Sequence, residues 1–193
     1  MELPVMPWQH EELKAAANIA FHQPPGAVEP VNDKLYIAAH TFGIDRTQHV
    51  FCADHWGHIH EFWFNYDERR WHHNNLTIAA HGAPLAKDWI TSYSWDLDQT
   101  QHVIYLGHDD QVHELWFRHG RGWNHNNLTV AATEIFWAPP PPGEYFIGFS
   151  SDIDRSQRIY YIGWPDAHIH ELSFQFEERR WRHQDLTATA AGG

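Results

Sequence analysis

Asp98-Gln99-Thr100-Gln101-His102-Val103, then Gln111-Val112-His113-Glu114-Leu115-Trp116-Phe117, then Trp123-Asn124-His125-Asn126-Asn127-Leu128-Thr129 is the stretch that decides the architecture, because it occurs three times. One copy runs from Asp45-Arg46-Thr47-Gln48-His49-Val50 through His58-Ile59-His60-Glu61-Phe62-Trp63-Phe64 to Trp71-His72-His73-Asn74-Asn75-Leu76-Thr77. Another runs from Asp154-Arg155-Ser156-Gln157-Arg158-Ile159 through His168-Ile169-His170-Glu171-Leu172-Ser173-Phe174 to Trp181-Arg182-His183-Gln184-Asp185-Leu186-Thr187. Glu61, Glu114 and Glu171 are spaced 53 and 57 residues apart, so one structural unit recurs at a near-fixed period.

Each unit reads as four short strands. Runs of β-branched and aromatic residues such as Val103-Ile104-Tyr105-Leu106 are bounded by Asp, Gly, Asn and Pro, the pattern of strands joined by tight turns. The first strand is placed around Tyr36, Tyr93 or Tyr145 and ends at the Asp-x-Thr/Ser-Gln turn. Helical periodicity is almost absent; only Glu11 to Ala20 tempts a helical reading. Alternation puts Val112 and Trp116 on one face of the third strand and Leu115 and Phe117 on the other. Both faces are apolar, so both need a cover. Stacking each sheet between two neighbours around an axis supplies one, which makes the chain all-β and its units β-propeller blades of four antiparallel strands.

The expected organisation is an N-terminal arm over 1–30, then blades over 31–84, 85–138 and 139–193 in one propeller domain. Trp8-Gln9-His10-Glu11-Glu12-Leu13 repeats the end of a blade, an orphan fourth strand with nothing before it. Pro139-Pro140-Pro141-Pro142 reads as a stiff linker. Three blades do not close a ring, so a homodimer is expected to complete one of six.

Composition narrows the function. The net charge of −12 repels phosphate backbones and argues against nucleic acid as a partner. No apolar run has the length of a membrane span, and the start Met1-Glu2-Leu3-Pro4 lacks signal-peptide character, so synthesis in the cytoplasm is expected. The single Cys52 excludes a disulfide scaffold and any Cys-built zinc site. There are 18 histidines and 11 tryptophans, several times ordinary usage, so charge responds strongly to acid.

The repeated polar residues carry the chemistry. Glu61, Glu114 and Glu171 sit mid-strand among apolar residues, where a carboxylate needs a partner. His49, His102 and Arg158 precede them by 12, 12 and 13 residues, a spacing that a hairpin brings together. Such pairs fix blade register or serve a ligand. His58-x-His60 and His168-x-His170 have metal-ligand spacing, but Gln111-Val112-His113 keeps one imidazole, which argues against a metal shared by all blades. No cofactor is expected. Polar residues that repeat as equals do not make the asymmetric constellation of an enzyme.

The string Gln157-Arg158-Ile159-Tyr160-Tyr161, followed by His168-Ile169-His170-Glu171-Leu172 and Trp181, resembles a blade of the fungal fucose-specific lectin family and its short bacterial relatives. The resemblance spans roughly residues 35 to 190. It implies a non-enzymatic, multivalent carbohydrate-binding protein with fucose-like monosaccharides held between blades by an Arg, a Glu and aromatic rings. Carried onto this chain, the implied ligand-binding residues are Arg158, Glu171 and Trp181; His102, Glu114 and Trp123; and His49, Glu61 and Trp71, with His in place of Arg in the last two sets. A protein-interaction scaffold is the alternative, and a His-based metal protein a more distant one.

Overall fold

The computed structural model describes residues 36–133 and 138–192. They form three four-stranded antiparallel sheets, each a simple meander. The first holds β1 (Ile37–Phe42), β2 (Thr47–Ala53), β3 (Ile59–Asn65) and β4 (Arg70–Asn75). In the second are β5 (Ala86–Trp95), β6 (Thr100–Gly107), β7 (Val112–Arg118) and β8 (Gly122–Asn127). The third comprises β9 (Pro142–Ser151), β10 (Ser156–Gly163), β11 (Ile169–Gln175) and β12 (Arg180–Asp185). The orphan-strand motif around Trp8 and the helical reading of Glu11 to Ala20 lie outside the described residues.

The turn signature explains the first hairpin of each sheet. In Asp-x-Thr/Ser-Gln the second residue takes a left-handed backbone at Arg46, Gln99 and Arg155, with φ of 53°, 55° and 52°. Fourth strands end where an asparagine or aspartate starts a short helix: α1 (Leu76–Ala79), α2 (Leu128–Ala131) and α3 (Leu186–Ala191). Asn75, Asn127 and Asp185 accept the N–H groups of Ile78, Val130 and Ala188 as N-caps. These helices escape the sequence reading because four to six residues are too few for a period.

Two further expectations are corrected. Tyr36, Tyr93 and Tyr145 are not equivalent: the register opposes His40 to His49, Tyr93 to His102 and Phe149 to Arg158. Tyr36 instead aligns with Trp89 and Tyr145, whose rings form a ladder with centroids 5.2 and 4.9 Å apart. Counting back from the turn gives the same correspondence, since Tyr36, Trp89 and Tyr145 each stand nine residues before Asp45, Asp98 and Asp154 while Tyr93 stands five before Asp98; Trp89 and Tyr145 sit at bulges with positive φ. The proline run is also more than a linker. Pro142 begins β9, Pro141 accepts from the Trp164 N–H, and Pro140 accepts from the Tyr161 hydroxyl.

The sheets stack in series, β1 beside β5 and β5 beside β9. Phe51, Ala53 and Ile59 of the first pack against Val103, Tyr105 and Leu115 of the second. Ile104, Leu106 and Val112, on the other face of the second, pack against Ile159, Tyr161 and Leu172 of the third. Every residue of the central strand β6 is therefore buried, whereas burial alternates along β2 and along most of β10. Residue 148 must be glycine for the second and third sheets to approach, since a Cβ there would stand 2.9 Å from the Tyr93 ring.

Among the described residues no fourth sheet stacks on either outer face. On the third sheet Ile147, Phe149 and Ile169 are exposed beside Arg158 and Glu171; on the first, Ile37 is exposed, Val50, Phe64 and Trp71 are half-buried, and Phe62 at the centre of the same face is buried. Burying one such side chain is worth roughly 1.5–3 kcal/mol.

Glutamines of the turn motif bridge the sheets. Tyr93 donates to Gln157 across 3.0 Å, and His40 meets Gln101 at the same distance. Burial, then the neighbouring His49, holds the His40 pKa at about 3, against 6.5 for an ordinary histidine. The unfolded chain thus takes up a proton below pH 6.5 that the folded chain refuses until about pH 3, so stability falls as pH falls through that window. His40 should cost about 2 kcal/mol between pH 6.5 and about pH 5. His40→Tyr, which copies Tyr93 and keeps a donor for Gln101, should flatten the difference between urea midpoints at about pH 7.5 and about pH 5. An unchanged slope would show that His40 does not carry this acid sensitivity.

Candidate functional site

The predicted acid–base pairs form, on a diagonal across each second hairpin. Phe51, Ile104 and Tyr160 stand directly opposite Glu61, Glu114 and Glu171, and the basic residue sits two positions along the same face. His49 Nδ1 lies 2.8 Å from Glu61 Oε1, and His102 Nδ1 lies 2.8 Å from Glu114 Oε1. Arg158 Nη1 donates to Glu171 Oε2 at 3.3 Å, and the Tyr160 hydroxyl donates to the same oxygen at 2.8 Å.

The threonine of the turn motif supplies a second hold. Thr47 Oγ1 is 2.7 Å from His49 Nε2, and Thr100 Oγ1 is 2.8 Å from His102 Nε2. Both nitrogens of each imidazole are thus committed within the protein; the second oxygen of Glu114 accepts from Asn126 Nδ2 at 3.4 Å. Arg158 is bound differently. It donates to Ser156 at 3.2 Å and to Asp154 as well as to Glu171, and a guanidinium has five N–H donors for such partners. Its hydrogen bond with Tyr160 and the flanking carboxylates of Glu171 and Asp154 outweigh desolvation and hold it more firmly charged than an ordinary arginine.

The tryptophans are regrouped. Trp71, Trp123 and Trp181 oppose Phe64, Phe117 and Phe174, which lie on the other face of the sheet from the glutamate of the same blade. Trp123 and Trp181 therefore face the preceding blade, and Trp71 faces away from the second. One cavity, of about 710 Å³, gathers Thr47, His49, Glu61 and Trp63 of the first blade with Gln101 and Trp123 of the second. A second, of about 510 Å³, gathers Thr100, His102, Glu114 and Trp116 with Gln157 and Trp181 of the third. Arg158 and Glu171 lie on the outer face of the third blade, and Trp71 on the outer face of the first, at opposite ends of the stack.

Trp63 and Trp116 were not among the expected site residues. Alternation was the available signal, since each lies two residues after its glutamate and shares its face. The recurrent Trp-x-His motif is structural: His73, His125 and His183 meet His60, His113 and His170 at 2.8, 3.0 and 2.9 Å. Those inner histidines in turn reach Asp54, Asp109 and Asp166. Burial opposes ionisation of Asp109, but the His113 hydrogen bond, the His113 charge and backbone N–H bonds together outweigh it, and the carboxyl lies below its ordinary range. Burial and then His60 hold His73 at about 4.

No protein-family model matches this sequence, and no curated protein matches it in sequence. Solved structures do match in shape. A structure of the SapL1 lectin in complex with α-methyl fucoside aligns at 18% identity and TM-score 0.57, over 80% of this chain and 47% of that one. A lectin from Aleuria aurantia, described as a six-bladed β-propeller with a novel fucose recognition mode, aligns at 13% identity and TM-score 0.56, over 78% and 44%. A fucose lectin from Kordia zhangzhouensis in complex with methyl-fucoside aligns at 15% and TM-score 0.51, over 77% and 97%. The chain spans less than half the length of the first two.

Glu114→Leu should remove the acceptor of the buried His102 and cost about 2 kcal/mol in urea unfolding. A loss below about 0.5 kcal/mol would mean the pair is solvated and contributes little. Similarity at these identities establishes the fold, and with the sheet topology it makes this chain three consecutive blades of a β-propeller.

Proposed function

We propose that the protein is a non-enzymatic lectin that holds monosaccharide units, fucose-like ones foremost, between adjacent blades. One observation carries this reading: the same set of groups, a carboxylate fixed by an imidazole on one blade and a tryptophan ring on the next, recurs in both cavities. A sugar suits such a groove because its C–H face packs on an aromatic ring while its hydroxyls donate to a carboxylate oxygen. Fucose as the ligand also draws on the ligands named for the structurally similar lectins.

The reading extends to a homodimer. The outer faces are complementary in kind, Arg158, Glu171 and Phe149 at one end and Trp71 and Gln48 at the other. A second copy would set its Trp71 over Arg158 and Glu171, completing a third groove per chain that neither copy builds alone. Several weak sites on one ring would then bind a glycan surface by avidity.

Calorimetry with methyl fucoside and a glycan array test the proposal. Trp181→Ala should weaken the groove between the second and third blades at least about tenfold, on the scale of losing an aromatic–sugar contact. Arg158→Ala and Trp71→Ala should each remove the same one of three binding equivalents, although the two residues lie at opposite ends of the chain. Glu171→Gln should weaken that equivalent and leave the melting curve unchanged. An empty array together with no heat would overturn the lectin reading in favour of a protein partner; loss of different equivalents from Arg158→Ala and Trp71→Ala would overturn the shared groove.

A further inference from the structure

The turn between β10 and β11 differs from its counterparts in one respect that blade packing does not require. In all three blades the inner histidine, 1–5% exposed, turns Nδ1 toward the Trp-x-His histidine and Nε2 toward an aspartate: Asp54 at 3.1 Å, Asp109 at 2.9 Å and Asp166 at 3.1 Å. In the first two blades the neighbouring helix cap is an amide, Asn75 or Asn127, and caps the helix through its side-chain oxygen at 3.2 and 3.0 Å. In the third it is Asp185, so capping alone does not call for the extra charge. The residue facing the cap changes with it. His58 Nδ1 is buried without a hydrogen-bond partner, Gln111 accepts from Asn127 at 2.6 Å, and His168 Nδ1 lies 2.7 Å from Asp185 Oδ2.

The result is a convergence confined to the third blade. One oxygen from Asp166, one from Asp185 and a nitrogen of His170 all lie within 4.8 Å of one another. Among the described residues the ion pairs of both carboxylates are with imidazoles, not with Lys or Arg. Two carboxylates this close repel one another, and a cation between them relieves that.

We infer that Asp166, His170 and Asp185 form a binding site for a borderline divalent cation of the Zn²⁺ class. The ligand set fits such an ion: two carboxylate oxygens and one imidazole nitrogen, with the remaining positions open to water. The surrounding bonds are already arranged for it. His170 Nδ1 lies 2.9 Å from His183 Nε2, so an Nδ1–H donated there leaves Nε2 as the lone-pair donor toward the ion. His168 steadies Asp185 in the same way. His170 and Glu171 alternate on the strand, so the cation site and the Arg158–Glu171 groove occupy opposite faces and do not depend on each other.

Calorimetric titration of the full chain with ZnCl₂, at neutral pH and without sugar, tests the inference. Asp185→Asn copies the caps of the other two blades and His168→Gln copies Gln111, so each should melt at the wild-type temperature. The wild type should bind one equivalent that Asp185→Asn weakens at least about tenfold and His168→Gln weakens less. Absence of saturable binding in the wild type, or an affinity and stoichiometry that Asp185→Asn leaves unchanged, would overturn the site.

Discussion

Everything in this molecule depends on strands that are apolar on both faces. A sheet of such strands cannot stand in water on either side, so it must be sandwiched, and the sandwiching material is another copy of itself. The central blade shows the requirement met, with every residue of β6 buried. The outer blades show it half met: burial alternates along β2 and along most of β10, and each strand is covered on the side that meets the central blade. On the third blade Ile147, Phe149 and Ile169 remain exposed, and covering each is worth roughly 1.5–3 kcal/mol.

The polar groups follow from the same stacking. A glutamate in the seam between two apolar sheets is tolerable only if its charge is compensated, and an imidazole or guanidinium two positions along the neighbouring strand provides this. The imidazole is in turn fixed by the motif threonine. The seam thereby holds a fixed, buried carboxylate, and the next blade supplies an aromatic wall. The same short motif fixes the turn, the buried pair and the inter-blade ring, and Asp-x-Thr/Ser-Gln, the mid-strand Glu and the fourth-strand Trp recur together.

Much of this could be read in the sequence because repetition separates what packing needs from what drifts. The strand runs, the turns at Asp45, Asp98 and Asp154, and the pairing of Glu61, Glu114 and Glu171 with residues 12 or 13 positions earlier all follow from local pattern. What could not be read was which blade a side chain addresses. Trp71 shares a repeat with Glu61 yet points to the other face, a fact that depends on the β3–β4 register, where Trp71 opposes Phe64. A match of tyrosine to tyrosine likewise misled, because equivalence is set by distance from the turn: Tyr36 and Tyr145 stand nine residues before Asp45 and Asp154, whereas Tyr93 stands five before Asp98. The metal-capable cluster of the third blade rests on a single Asn-to-Asp difference between repeats, visible in sequence but without meaning until Asp166 and His170 were placed beside it.

The central claim is that the two outer faces cover one another in a closed pair. Light scattering on the native 22.7 kDa chain tests it most directly, because mass does not depend on which ligand the grooves hold. A stable species of about 45 kDa, twice the chain mass, is the predicted result. A species that stays at the mass of one chain across the working concentration range would contradict the account.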